Sequence, residues 1–335
     1  MLVRAGALRA EGRVADAIDL LTEANRTAAR ADVELELVRT RHDAFAKPPT
    51  GDGGAGTAPP PIVAAASTGA LPRVDPADLD LQALRDGLAS GGCLLVPGLI
   101  PPERVATLVA GIDRSLAAFD ATVEKRAAPD DRTWYRPFKP AEGIAAYRVG
   151  GRRKWVRAAG GVWTADSPRM LFELVETLHA VGLAPLIEAF LGERPAMSVN
   201  KCTLRRVPVD SSGEWHQDGA FLGEQVRSLN VWMALSHCGV DAPTMDVVPR
   251  RFDHVVPTGT DTPFDWAVGP TQVEAAAGDA GVLRPSFAPG DVLLFDHLFL
   301  HRTAAEPTMT AERHAIESWF FAPSTYPDGQ IPILF

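Results

Sequence analysis

The chain has 335 residues, 46% hydrophobic and 22% charged, with a formal net charge of −9. This balance suits a soluble globular protein with a sizeable core, and without a long basic run it speaks against nucleic-acid binding. Cys93, Cys202 and Cys238 are widely spaced and form no CxxC pair, which argues against a disulfide framework or structural zinc site and points to a reducing cytoplasm. The N-terminus, MLVRAGALRAEGR, lacks the apolar core of a signal peptide. No uncharged apolar stretch of about 18 residues is present, so no membrane partner is expected.

Three zones follow along the chain. Residues 1–46 are rich in Ala, Leu, Glu and Arg, with Ala15, Ile18, Leu21 and Ala24 at helical spacing. They predict a helical hairpin. AGALRAEGRVADAIDLLTEANRTA resembles one tetratricopeptide unit, which cannot bury its own apolar face alone. Such a hairpin either docks on the main domain or recruits a protein partner. Residues 47–78 are dominated by Pro, Gly, Ala, Ser and Thr, the composition of a flexible linker.

Residues 79–335 form the main domain. A helix is predicted over 81–89, then the apolar strand CLLVPGLI. Pro101-Pro102-Glu103 next opens a helix reaching to about Phe119. A helix pair is expected over 169–191. Beyond Met197 the pattern changes to short strands, MSVNKCTLRRV, SLNVWMALS, TMDVVP, DVLLFDHLFLHRT and HAIESWFFAP, separated by Gly, Pro and Asp. An α+β architecture follows, a β-sandwich or barrel faced by helices.

GEWHQDGAFLG carries the sharpest chemistry. His216 and Asp218 are two apart, so on an extended strand both point to one side. A second histidine from a later strand would complete a two-histidine, one-carboxylate set, which leaves three positions open on a non-haem Fe(II). His301 is the candidate, at the end of PGDVLLFDHLFLHRT, with His297 as competitor four residues earlier. A keto-acid co-substrate also needs a cation for its distal carboxylate, a role suited to the planar fork of arginine. Arg313 lies on the next predicted strand, and the nearer Glu312 has the wrong charge. Thr303, two past His301, offers a hydroxyl on the same face.

With these residues in place, the chain resembles the phytanoyl-CoA dioxygenase family of Fe(II)/2-oxoglutarate oxygenases over about residues 79–325. The motifs are LRDGLASGGCLLVPGLIPPERVATLVAGID, WHQDG, SLNVWMAL and PGDVLLFDHLFLHRT. The resemblance implies a double-stranded β-helix (jelly-roll, cupin-like) core with packed helices. It also implies Fe(II), 2-oxoglutarate and O2, with succinate and CO2 as products. It assigns iron binding to His216, Asp218 and His301, and the distal carboxylate to Thr303 and Arg313. Trp232 corresponds to an aromatic position lining the co-substrate pocket, and Asn200 to a polar contact on the strand before the metal motif. VVPRRFDH departs from the family's usual turn, so Arg250 and Arg251 there read as solvated charge or as contacts to an anionic substrate. Asp218 fills a position that is a small residue in related halogenases, which favours hydroxylation of a small or lipid-like molecule. Loops over 132–163 and 250–266 are expected to shape the substrate pocket, and the basic run Arg152, Arg153 and Lys154 reads as a solvated loop or as contacts to an anionic group. A metal enzyme that does not use 2-oxoglutarate, or a binding protein recruited through its N-terminal helices, are the alternatives.

Overall fold

The computed structural model describes residues 1–46, 59–141, 149–259, 262 and 264–335. The N-terminal zone holds three helices rather than a two-helix hairpin: α1 (Leu2–Ala10), α2 (Val14–Thr27) and α3 (Ala31–Ala46). Ala28 is extended and breaks the second helical run, and Asn25 Oδ1 accepts from Arg30 N at 2.8 Å across the gap. The main domain follows as α4 (Leu81–Gly91), β1 (Cys93–Val96), α5 (Pro102–Val123), α6 (Asp131–Trp134), α7 (Val149–Ala158) and β2 (Gly161–Trp163). Next come α8 (Pro168–Ala180), α9 (Leu183–Leu191), β3 (Ala196–Ser198), β4 (Thr203–Val207), α10 (Gly219–Leu222), β5 (Ser228–Ala234) and β6 (Thr244–Val247). The last elements are α11 (Pro270–Ala277), β7 (Val292–Phe295), β8 (His301–Ala304), β9 (Arg313–Phe321) and β10 (Pro332–Leu334).

Two antiparallel sheets face each other in a jelly-roll sandwich. The large one runs β1-β7-β5-β9-β3-β10, with β4 also on β9 and β2 on β4; the small one pairs β6 with β8. The chain crosses between sheets inside the segment expected as one strand, DVLLFDHLFLHRT. β7 ends at Phe295 in the large sheet and β8 begins at His301 in the small one. Likewise MSVNKCTLRRV is two strands, β3 and β4, separated by a turn at Asn200-Lys201.

Period-two alternation sorts the large sheet's side chains. Leu229, Val231, Met233, Val292, Leu294, Ile316 and Phe320 face an outer layer of helices α4, α5, α8 and α9 and join the largest apolar cluster. Their neighbours Trp232, Leu293, Phe295, Trp319 and Phe321 face inward with Met245 and Val247 of the small sheet. Trp215, Val248, Phe252, Leu298 and Leu300 form a third cluster under α11, on the far side of the small sheet.

The N-terminal helices dock on this domain. Arg41 donates to Leu334 O at 2.9 Å, and His42 donates from Nδ1 to Pro332 O at 2.7 Å. Arg26 pairs with Glu176 of α8, Arg169 with Glu34, and Phe172 and Leu334 complete the apolar face of α1–α3. The stretch read as a flexible linker is also partly docked. Residues 47–58 lie outside the described residues, but Leu95 N donates to Pro72 O (2.9 Å), Val74 N to Leu95 O (3.1 Å) and Ala65 N to Ala89 O (2.8 Å). Leu71 and Val74 supply the apolar anchors that the Pro/Ala composition obscured. Among the described residues no single helix is long and apolar enough to cross a membrane, and the three cysteines are free and buried.

The basic run 152–154 lies on α7, not in a loop. Arg153 forms a bidentate pair with buried Asp166 (2.6 and 2.8 Å), donates to Phe138 O, and covers the Trp163 ring. Removing one partner of such a pair strands a buried charge, which costs about 3–5 kcal/mol. Arg153→Ala is therefore expected to lower unfolding stability by about that amount. Chemical denaturation with an unchanged m-value would measure it.

Candidate metal centre

His216 and His301 form an isolated antiparallel bridge. Each backbone N–H donates to the other's carbonyl, His216 N to His301 O at 3.0 Å and His301 N to His216 O at 3.1 Å. The two rings are thereby held 4.5 Å apart between centroids. Each ring also donates Nδ1–H to the carbonyl two residues before it, His216 to Glu214 O (2.8 Å) and His301 to Phe299 O (3.0 Å). These bonds fix the tautomer and leave both Nε2 atoms as bare acceptors, the state a metal requires. Desolvation, reinforced by His301, pushes the His216 pKa down to about 4, so the ring is neutral at physiological pH.

Asp218 is not on an extended strand with His216. It has helical backbone angles and stands at the N-cap position of the short helix α10, its side chain making no capping bond. The turn still brings one oxygen to the histidines: Asp218 Oδ2 is 4.0 Å from His301 Nε2, and the three ligand atoms lie within 4.8 Å of one another. Burial pushes the Asp218 carboxyl up, but Lys201 and the two imidazoles outweigh it and hold it below the usual carboxylate range. Lys201 Nζ is 3.0 Å from Asp218 Oδ1.

Gln217, between the two ligands, is fully buried and was missed by the sequence reading. Its amide donates to Leu298 O (2.5 Å) and His254 O (3.2 Å) and accepts from Val256 N (2.6 Å), tying the turn to two neighbouring segments. Gly219 follows. A Cβ there would lie 2.9 Å from Val255 Cγ2 and 3.2 Å from His297 O, so the helix start needs a residue without one.

His297 has no free ring nitrogen. Nε2 donates to Glu224 O (3.1 Å), which leaves Nδ1 to accept from Ser228 Oγ (2.9 Å), and the same hydroxyl oxygen accepts from His297 N (3.2 Å). Its own carbonyl accepts from Gly219 N at 2.8 Å. The competitor histidine is thus a strut for the turn that carries Asp218.

Arg313 is 2% exposed and stands on the inward face of β9. It donates to Thr244 O (2.8 Å) and Pro243 O (3.5 Å), lies 5.5 Å from the Trp232 ring centroid, and keeps a buried Nε without a partner. Among the described residues it forms no ion pair with a carboxylate. Burial pushes its pKa down to about 10, still charged at neutral pH. Thr303 pairs with Met245 across β8 and β6, two positions along β8 from His301. Asn200 is not brought to this face: its amide accepts from Ile331 N (3.0 Å) and donates to Gly329 O (3.5 Å), holding the turn to the C-terminal segment. Asn230, which the sequence reading passed over, points inward from β5 between Ser228 and Trp232. It is fully buried, and neither amide atom has a partner. Its signal was a polar residue inside an otherwise apolar strand, SLNVWMAL.

Arg250 and Arg251 are not solvated charge. Arg251 is buried against Asp296, and Arg250 donates to Ala276 O (3.0 Å) and covers Phe252. Of the segments expected to shape the substrate pocket, 142–148 and residues 260, 261 and 263 lie outside the described residues.

The sequence model of the family described as Phytanoyl-CoA dioxygenase (PhyH) matches residues 89–315, a span that holds His216, Asp218, His301, Thr303 and Arg313. The chain belongs to the phytanoyl-CoA dioxygenase family. It is accordingly a 2-oxoglutarate-dependent dioxygenase that uses Fe(II) and O2. Solved structures with a similar fold include AviO1 from Streptomyces viridochromogenes Tue57 (19% identity, TM-score 0.45, 74% of this chain and 98% of that one). Another is EctD from S. alaskensis with 2-oxoglutarate and 5-hydroxyectoine (16%, TM-score 0.48, 77% and 84%). A third is the epimerase SnoN with Fe3+, alpha ketoglutarate and nogalamycin RO (17%, TM-score 0.45, 72% and 83%). A comparison with curated proteins returned no match.

The residues fit the phytanoyl-CoA dioxygenase cofactors. Two imidazoles and a carboxylate converge on one point, and the inward face adds a buried guanidinium and an amide that, among the described residues, have no counter-ion and no partner. His301→Ala should abolish Mn(II) binding, Mn(II) serving as an oxygen-stable substitute for Fe(II). His297→Ala should weaken it by no more than about tenfold while lowering thermal stability. Calorimetric titration of the two purified variants distinguishes them.

Proposed function

We propose that this protein hydroxylates a C–H bond of a small or lipid-like organic molecule and releases succinate and CO2. One observation carries the reading. The His216, Asp218 and His301 donors share an interior with Arg313, a buried cation for which the described residues supply no anion. Fe(II) held by the three side chains supplies O2 activation coupled to decarboxylation of 2-oxoglutarate.

The chain's own residues do the rest. Nδ1–H bonds to Glu214 and Phe299 keep the imidazoles oriented, so Nε2 is presented without rearrangement. Arg313 pairs with the distal carboxylate of the keto acid, with Thr303 as a second donor and Trp232 as the wall beneath the guanidinium. Asn230 offers a donor and an acceptor on the floor between them. Asp218 occupies the position a halide would need, so transfer of hydroxyl is favoured. Apolar side chains around this interior, Phe295 and Trp319 among them, exclude water from the reacting centre. The free, buried thiols fit a cytoplasmic protein, and the docked N-terminal helices act as part of the enzyme's own scaffold.

Protein supplied with Fe(II), ascorbate and 2-oxoglutarate should release succinate, faster once a substrate is found by screening. Arg313→Leu should raise the KM for 2-oxoglutarate roughly ten- to hundredfold, as expected for a lost charge-assisted contact of about 1.5–3 kcal/mol. Succinate release unaffected by Arg313→Leu would remove Arg313 from co-substrate binding, and a metal-loaded protein that releases no succinate would favour a metal enzyme that does not use 2-oxoglutarate.

A further inference from the structure

The two oxygens of Asp218 have different neighbours. Oδ2 faces the histidines, 4.0 Å from His301 Nε2, whereas Oδ1 accepts from Lys201 Nζ at 3.0 Å. The ammonium also lies 3.8 Å from the ring centroid of Phe221, a residue of the short helix whose N-cap position Asp218 holds. Lys201 is therefore clamped at two points by one helical turn. It projects from the β3–β4 turn, whose position is set by the Asn200 amide bonds to Gly329 and Ile331. Asp218 itself is 3% exposed, so its outer oxygen has little access to water and depends on the lysine for a partner.

We propose that Lys201 is a positioning residue that holds the Asp218 carboxylate to one-oxygen ligation. A carboxylate free at both ends can take two positions on a metal. Two histidines and one carboxylate oxygen leave three positions open, two for a chelating keto acid and one for O2. A second bond from Oδ1 would remove one of these. A charge-assisted hydrogen bond to Oδ1 prevents that without occupying a ligand position itself. The same cation repels a divalent metal, so Lys201 does not serve tight metal binding; it serves an open coordination sphere. The proposal rests on the oxygenase reading above.

The two effects have opposite signs, and this makes the role testable apart from activity. In Lys201→Met, Mn(II) affinity measured by calorimetry should be unchanged or up to roughly tenfold tighter. The affinity of the Mn(II)-loaded protein for 2-oxoglutarate should fall at least about tenfold, the usual scale for losing a partner of a metal ligand. Lys201→Arg, which keeps the charge and the donor, should restore 2-oxoglutarate binding and is read independently if the methionine variant does not fold. Parallel loss of Mn(II) and 2-oxoglutarate, no change in either, or failure of Lys201→Arg to bind 2-oxoglutarate would overturn the proposal. Wild-type protein that binds Mn(II) but no 2-oxoglutarate would overturn the proposed function, and this proposal with it.

Discussion

The reciprocal backbone bridge between His216 and His301 is the constraint on which the site depends. One hydrogen-bonded pair joins the turn carrying Asp218 to the first residue of β8. It sets the separation of the rings, and the bonds from each Nδ1 set their rotation. Everything around it keeps that pair in register. β6 holds β8 from the other side, Val247 opposite His301. Gln217 and His297 anchor the chain on either side of Asp218, and neither touches the metal position. Preorganisation of this kind would let the three side chains take up a cation with little further ordering.

The sandwich interior is chemically unlike the layer behind it. Facing the helices, the large sheet is almost wholly aliphatic and aromatic. Facing the small sheet, it carries Arg313, which among the described residues has no carboxylate partner, and Asn230, whose amide has no hydrogen-bond partner there. Groups left so in a folded interior are unfavourable by themselves. Burial on the helical side offsets them.

Strand alternation made much of this legible. SLNVWMAL and HAIESWFF separate inward from outward residues by parity alone, and the histidines and carboxylate stood out by residue type and spacing. What the pattern concealed has physical causes. Asp218 shares a side with His216 through a helical turn, a conformation that the spacing of HxD does not reveal. DVLLFDHLFLHRT resumes its apolar run after Asp296-His297, so a crossing between sheets and a continuous strand read alike there; the crossing, with both ring nitrogens bonded, disqualifies His297. Arg153 and Arg251 looked solvated because their partners, Asp166 and Asp296, are distant or unremarkable in sequence. Lys201 and Gln217 act through contacts with side chains or backbone farther along the chain, which no local signal marks, and Asn230 shows only as a polar residue in an apolar strand.

The same long-range contacts give the N-terminal helices a place in the architecture. α3 holds β10 through Arg41 and His42. β10 pairs with β3, and the segment before it holds Asn200. Asn200 precedes Lys201, whose ammonium reaches Asp218. Each link is a hydrogen bond or a strand pairing, so the appended layer and the carboxylate ligand belong to one continuous packed path. A unit that looked separable by composition is joined to the metal position by the C-terminal strand, because burying the apolar face of α1–α3 requires Phe172 and Leu334 of the main domain.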